Sequence, residues 1–341
     1  MVVSVVTPTY NSAAFLPWTL ESVRRQTFSD WEMILVDDGS TDDTVKIAEE
    51  AARSDRRIRV VRAAHEGVAR ARNRGLAEIS PEAEFVTFLD SDDTYEPEAL
   101  TTLLEALRRH PELPAAHGLA RAVDVHGKQF EGDTQAQTIR DRFRLQRGKL
   151  VPLPASAPTS FEALLVHNHV VTPGLSLIRT RVLAALGGFD PATDPADDWD
   201  MNLRIGRQGG YALVDRVILN WRRHPSSISH TRKIFWPWLE VLKRAIRFPG
   251  NTGAQRAAAT AALLGFSRKL YNDAFAELTA RRLVGWASAM FKASVCRWHY
   301  LRAWARQLLG GGDPRTARLG GVREGTADAE EAPRARGGSS R

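Results

Sequence analysis

The sequence predicts an α/β protein: a mostly parallel sheet flanked by helices, continued at its C-terminus by a helical extension. Three observations carry that prediction. Strand-like and helix-like runs alternate through the first hundred residues, polar clusters stand where those strands end, and after residue 230 the pattern turns helical and basic. A chain of 341 residues holds one large or two ordinary domains, each with a full core.

Residues 2–7 (VVSVVT) are apolar and β-branched and read as a first strand, followed by a helix over 14–25. The pair repeats as strand 32–36 with helix 41–53 and as strand 58–62 with helix 68–79, before a fourth strand at 85–89. Strand–helix–strand units of this length give parallel neighbours, and ligands of such sheets bind beyond the carboxyl ends. Pro97 opens a helix predicted over 97–109. Residues 110–160, rich in Pro, Gly and Gln, read as loops and short strands around a cleft. A strand is expected over 170–179, a short helix over 199–208 entered through Asp197 and Asp198, and a late strand over 211–220. Residues 234–309 are helical in pattern, whereas 310–341 lack apolar periodicity and are expected to be disordered.

Hydrophobic residues at 43% and charged residues at 26% place the chain among soluble globular proteins. Its single cysteine, Cys296, excludes an internal disulfide framework and suits a reducing, cytoplasmic compartment. The N-terminus has no basic segment of the signal-peptide kind, and no apolar stretch is long enough to predict a membrane-spanning helix. The formal charge of +7 is unevenly spread. Residues 222–310 hold 16 Lys and Arg against three acids (Glu240, Asp273, Glu277), a balance of +13 that leaves the remainder at −6. An acidic body with a basic C-terminal quarter argues against nucleic acid as partner and for an anionic surface met at one end.

Neither GxGxxG nor GxxxxGK[ST] occurs, so a nucleotide at this rim has to be held by other means. In VTFLDSDDTYEP, Asp90, Asp92 and Asp93 crowd three carboxylates into four positions, which costs free energy unless a cation lies among them. Two readings stay open. Asp90 and Asp92, on one side of an extended chain, are hard oxygen ligands for Mn²⁺ or Mg²⁺; alternatively the cluster caps the helix that follows, which suits Asp93. In VDDGSTD, Ser40 or Thr41 reads as the cap of the next helix, leaving Asp38 to accept a hydrogen bond from a base or ribose. TPTYN offers the Tyr10 ring as one wall of a base pocket.

Taken in order, VVTPTYN, ILVDDGSTDDT, GVARARNRGL, FLDSDDTYEP, LGGFD and DDWDMNLRI resemble the pattern of glycosyltransferase family 2, over roughly residues 3–230. The resemblance implies a GT-A fold over residues 1–230, with a Rossmann-like nucleotide half (1–100) and an acceptor half (101–230). A basic amphipathic region (231–310) and a tail (311–341) follow it. It further implies an inverting transferase that moves sugar from a nucleotide-linked donor, expected to be UDP-linked, to a hydroxyl acceptor in cell-surface polysaccharide or glycolipid synthesis, assisted by Mn²⁺ or Mg²⁺. Residue by residue, Thr7, Pro8 and Tyr10 match positions lining the nucleobase, and Asp38 matches the aspartate on base or ribose. Arg72 and Asn73 match an Arg-Asn pair near the nucleotide, with a place on the helix surface as the other reading. Asp90 and Asp92 match the DxD motif, Asp92 as the direct metal ligand. Asp198 matches the general base, its neighbour Asp197 standing where the family has Glu; helix N-capping is the competing role for both. His224, after the late strand, reads either as a further group on the metal or diphosphate or as a solvated turn histidine.

Two alternatives remain at this level: a metal-dependent nucleotidyltransferase, which usually opens with a basic glycine-rich loop that TPTYNSAAF lacks, and a non-catalytic scaffold, against which the intact Asp38, Asp90, Asp92 and Asp198 speak. In the basic quarter, Val284, Phe291, Val295 and Trp298 share one helical face, with Leu301, Ala305 and Leu308 as a neighbouring stripe. Arg281, Arg282, Lys292, Arg297, Arg302 and Arg306 surround them, with Trp286 and Trp304 nearby. Such a helix either lies peripherally on the cytoplasmic face of a membrane, near a lipid-linked acceptor, or packs its stripe on the catalytic body.

Overall fold

The computed structural model describes residues 2–146, 149–227, 235–279 and 283–308. Eight strands form one sheet. In order across it they are β3 (Ile58–Arg62), β2 (Trp31–Asp37), β1 (Val2–Thr9), β4 (Ala83–Phe88), β9 (Ser176–Arg179), β6 (Ala115–Val123), β10 (Tyr211–Arg222) and β5 (Thr94–Tyr95). β1 runs parallel to β2 and β4, β2 to β3, and β6 to β10, while β9 lies antiparallel between β4 and β6 and β5 antiparallel on β10. A separate hairpin joins β7 (Phe143–Gln146) and β8 (Lys149–Pro152). The helices of this part are α1 (Leu16–Arg24), α2 (Thr44–Ser54), α3 (Val68–Ala77), α4 (Ala99–Arg109), α5 (Gln135–Arg140), α6 (Phe161–Val166), α7 (Thr180–Leu186) and α8 (Asp197–Arg207).

Strands covered on both faces can be apolar at every position. Val3, Val5 and Val6 of β1 and Met33 to Val36 of β2 are all fully buried, which is why these segments read as unbroken apolar runs. Because β1, β2, β4, β6 and β10 point the same way, the segments following them meet at one rim, and the polar clusters are those segments.

The strand β6 was not legible in the sequence. Its residues, AAHGLARAV, carry little of the β-branched signal, yet they form a nine-residue strand inside the sheet, between β9 and β10. A side chain at Gly118 would come within 2.6 Å of the Ile218 side chain on β10, so close packing demands the small residues that hide the strand. Other boundaries also moved. The strand expected over 170–179 is confined to Ser176–Arg179, after a 3₁₀ turn at Pro173–Leu175. Ser40 and Thr41 do not cap α2, which starts at Thr44; Ser40 Oγ accepts from the Asn11 N–H, and Asp42 Oδ1 accepts from Thr44 N–H.

Three further helices, Phe235–Arg247, Gly253–Thr279 and Leu283–Leu308, follow the sheet. Trp238 packs edge-on against Trp199 of α8 (5.9 Å between centroids), Arg244 pairs with Asp190, and Ser267 Oγ donates to the Ala293 carbonyl at 3.0 Å. Among the described residues no helix is long and apolar enough to cross a membrane. Arg281, Arg282 and the expected disordered tail lie outside the described residues.

Candidate active site

The chain turns sharply after β4. Asp93 N–H donates to the Asp90 carbonyl at 3.1 Å, so Asp90 to Asp93 form a turn and do not continue the strand. The same-side geometry of an extended DxD therefore does not hold: the three carboxylates take different directions and different partners. Asp90 accepts from Arg72 Nη2 (2.8 Å) and the Thr172 hydroxyl (3.2 Å). Asp93, almost completely buried, accepts from Arg222 N–H (2.9 Å) and from Thr172 (3.2 Å), so it caps no helix; Glu98 occupies the cap position of α4. Burial pushes both carboxyls above the ordinary carboxylate range, Asp93 the further because Asp92 and Asp90 add their charge.

Asp92 is turned differently. Its Oδ2 lies 2.9 Å from His224 Nε2, and its carbonyl accepts from Arg222 Nε at 2.8 Å. The His224 side chain is only 9% exposed, wedged against the Phe15 ring (4.6 Å), so it is no solvated turn histidine. Its Nδ1 sits 2.8 Å from Ser226 Oγ, so both ring nitrogens have a polar partner that fixes the ring in place. A carboxylate oxygen and an imidazole nitrogen side by side suit Mn²⁺ or Mg²⁺ completed by water and phosphate oxygens. Among the described residues no three His, Cys, Asp or Glu side chains are grouped to hold a metal by themselves, so Asp92 and His224 would hold one only together with water or ligand oxygens.

Arg72 ties this rim to α8. Its guanidinium is 5% exposed and donates to Asp90 on one side and to Asp197 Oδ2 on the other, at 2.7 Å. That burial excludes the helix-surface reading of Arg72. Asn73 is equally engaged, exchanging two 2.8 Å hydrogen bonds with the Phe189 backbone, and a side chain at Gly188 would collide with it at 2.5 Å. Asp197 is no N-cap either: Ala196 holds that position, and the Asp197 carboxylate goes to Arg72. Asp198, the next residue, is half-buried and accepts from its neighbour's backbone, Trp199 N–H (2.6 Å), and from Asn168 Nδ2 (3.3 Å). Burial first, and the Asp197 charge second, push the Asp198 carboxyl up to about 7.

On the β1–β2 side, Thr7 and Pro8 are buried within the sheet, and the Thr7 hydroxyl has no partner. Tyr10 is 47% exposed and its ring stacks on His65 at 4.2 Å between centroids, 24° from parallel. Asp38 holds that pair in place. Its carboxylate accepts from Glu66 N–H (2.9 Å) and Gly67 N–H (3.0 Å) and lies 3.1 Å from His65 Nδ1. In this arrangement Asp38 organises the entrance to α3.

Sequence reasoning missed Thr172, Arg222, Asn168 and His65. Arg222 donates its N–H to the Asp93 carboxylate and its Nε–H to the Asp92 carbonyl, while its guanidinium lies 4.4 Å over the Trp18 ring. Asn168 is itself oriented: its Oδ1 accepts from Asn202 Nδ2 (2.9 Å), and Asn202 Oδ1 accepts from the buried Tyr211 hydroxyl (2.7 Å). The only local signal was polar residues beside Pro173 and at the end of the late strand, which specifies nothing without partners.

Residues 4–184 match the family model described as Glycosyl transferase family 2. EpsH of Bacillus subtilis (strain 168) is 35% identical over 140 residues, 41% of this chain and 40% of EpsH. The O-antigen biosynthesis protein RfbC of Myxococcus xanthus is 33% identical over 206 residues, 60% of this chain and 14% of RfbC. The chain thus spans less than half the length of these relatives. Among solved structures, S. aureus TarS in complex with UDP-GlcNAc superposes with a TM-score of 0.56 at 16% identity, covering 85% of this chain and 90% of that one, which is a likeness of fold.

Proposed function

This chain belongs to glycosyltransferase family 2 and has the GT-A fold, and on that premise we propose that it is an inverting, metal-assisted transferase that moves a sugar from a UDP-linked donor to a hydroxyl of a carbohydrate or lipid-linked acceptor in polysaccharide synthesis. The observation that carries the reading is the Asp90–Arg72–Asp197 chain of ion pairs, which joins the strand-end carboxylates to the α8 carboxylates, its Arg72–Asp197 link spanning 125 residues of sequence. The UDP donor is supported by the like-folded TarS, described with UDP-GlcNAc, and the polysaccharide acceptor by RfbC, named for O-antigen biosynthesis. The location proposed is the cytoplasmic face of a membrane.

Each group has a defined task. The exposed Tyr10 face, backed by His65 and held by Asp38, receives the base. Asp92 and His224 hold Mn²⁺ or Mg²⁺, which when bound neutralises the charge gathering on the diphosphate as it leaves. Asp198 takes the proton of the attacking acceptor hydroxyl; a carboxyl near 7 is half-ionised at neutral pH yet basic enough for the transfer. Trp199 N–H and Asn168 orient it, and Arg72 fixes Asp197 beside it so that the like charge raising its basicity stays in place. One base opposite the leaving group gives a single displacement, hence inversion. The test is a panel of nucleotide sugars assayed with and without Mn²⁺, with the product anomer read by NMR. Metal-dependent transfer with inversion is expected; retention, or equal turnover after chelation, overturns the reading.

A further inference from the structure

We infer that the outer face of the helix Leu283–Leu308, together with Trp236, docks this protein on a lipid bilayer bearing anionic headgroups. The helix has two unlike sides. Ala289, Ala293 and Cys296, spaced by four and three, are at most 9% exposed and form the packed side, with Ser267 bonded to the Ala293 carbonyl across the contact. The large side chains point elsewhere. Phe291, Trp298 and Leu301 are 60%, 56% and 49% exposed, and Trp236, 52% exposed, adds its ring edge-on to Phe291 at 6.5 Å. Of the stripe visible in the sequence, Val295 packs on the core, but Phe291 and Trp298 face out, and the small residues hold the helix to the body. A folded monomer rarely leaves so many large apolar groups together on its surface without a use for them.

Charge selects the occupant. The helix contains Lys292, Arg297, Arg302 and Arg306 and no acid at all, and the Arg302 guanidinium lies 5.2 Å over the Trp298 ring. Two copies packed through this face would set arginine against arginine, whereas anionic headgroups neutralise the cations and the acyl boundary takes the aromatic rings. No described helix is apolar enough to cross the bilayer, so the helix lies in its interface. The surface exists whether or not sugar is transferred; only the delivery of a lipid-linked acceptor to Asp198 depends on the transferase reading.

Flotation of the full-length protein tests this with vesicles of phosphatidylcholine alone and of phosphatidylcholine mixed with phosphatidylglycerol. The parent should float with the mixed vesicles at low salt and be released by added salt. In Arg297→Gln and Arg302→Gln each lost cation should weaken binding about fivefold. Trp298→Ala with Phe291→Ala should weaken it on the order of tenfold. Both sets should leave thermal unfolding and turnover on a soluble acceptor unchanged. Parent protein that does not float at low salt, or variants that float equally well, overturn the inference. So does a parent that is dimeric in solution and becomes monomeric in the Phe291→Ala, Trp298→Ala double variant, which would make this face a contact between copies.

Discussion

The strand-end rim and the outer face of the Leu283–Leu308 helix are both crowded with charge, and they handle it in opposite ways. At the rim every described carboxylate is met by a partner from the same chain: Arg72 for Asp90 and Asp197, Arg222 and Thr172 for Asp93, His224 for Asp92. On the helix the arginines stand among half-exposed aromatic rings with no acid of their own helix to meet them. Buried charges need partners within the fold, because desolvation otherwise exceeds any gain. Exposed ones do not, and are free to meet something else. Removing a charge at the rim should therefore be felt by the whole molecule, and removing one on the helix only by what it meets.

Arg72→Met is the severest way to break that contrast. It strands Asp90 and Asp197 together, and should cost about 3–5 kcal/mol of stability as well as all transfer; a urea midpoint close to the parent's would mean that the ion-pair chain contributes little. Asp198→Asn should lower kcat by about 10²–10⁴ with donor binding nearly intact. Its stability should move the other way. The folded Asp198 carboxyl, raised to about 7 from an unfolded value of 3.8, keeps its proton longer than the unfolded one does, so the parent loses stability as pH climbs through that window. At pH 8 the asparagine variant should therefore be the more stable protein, by about 1–2 kcal/mol, and calorimetry should show the gain shrinking at pH 5 and vanishing below the unfolded value of 3.8.

The same group predicts the pH–rate profile. The base works ionised, so kcat should rise with pH through about 7, and Asp197→Asn, which removes the like charge, should move that limb to lower pH. If Asp197→Asn is inactive while Asp198→Asn turns over, the base is the other member of the pair. Asn168→Ala should lower kcat by about tenfold without changing the donor KM, since the amide orients Asp198 and nothing places it on the nucleotide. The smallest effect belongs to the helix: Arg297→Gln should change unfolding free energy by no more than about 0.5 kcal/mol, and a larger loss would show that the arginine has a partner within the fold.

Much of the arrangement was readable in advance where the signal is local. The apolar runs of β1, β2 and β4, the helices between them and the carboxylates that end them follow from periodicity and from the rule that ligands gather beyond parallel strand ends. Asp90, Asp92, Asp198 and Tyr10 stand at that rim, though nothing in the pattern said which would be turned inward. On pattern alone a polar residue before a helix usually caps it, a role open to Ser40, Thr41, Asp93 and Asp197. The fold uses three of the four against distant or neighbouring segments instead: Ser40 on Asn11, Asp93 on Arg222 and Thr172, and Asp197 on Arg72.

By itself the sequence determined the alternation of strands and helices, the family, the acidic rim and the basic quarter, since each is written in neighbouring residues or in motifs of fixed order. Only the tertiary structure decided the rest. It placed β6 inside the sheet between β9 and β10, where contact with Ile218 favours the glycine at 118 that helps conceal a strand. It set Arg72 between Asp90 and Asp197, and His224 against Asp92 across 132 residues. It turned the aromatic side of the last helix outward, because alanines and Cys296 pack closely where tryptophans cannot. Those outcomes are set by which surfaces meet, and burial, not local pattern, selects among the faces a segment can present.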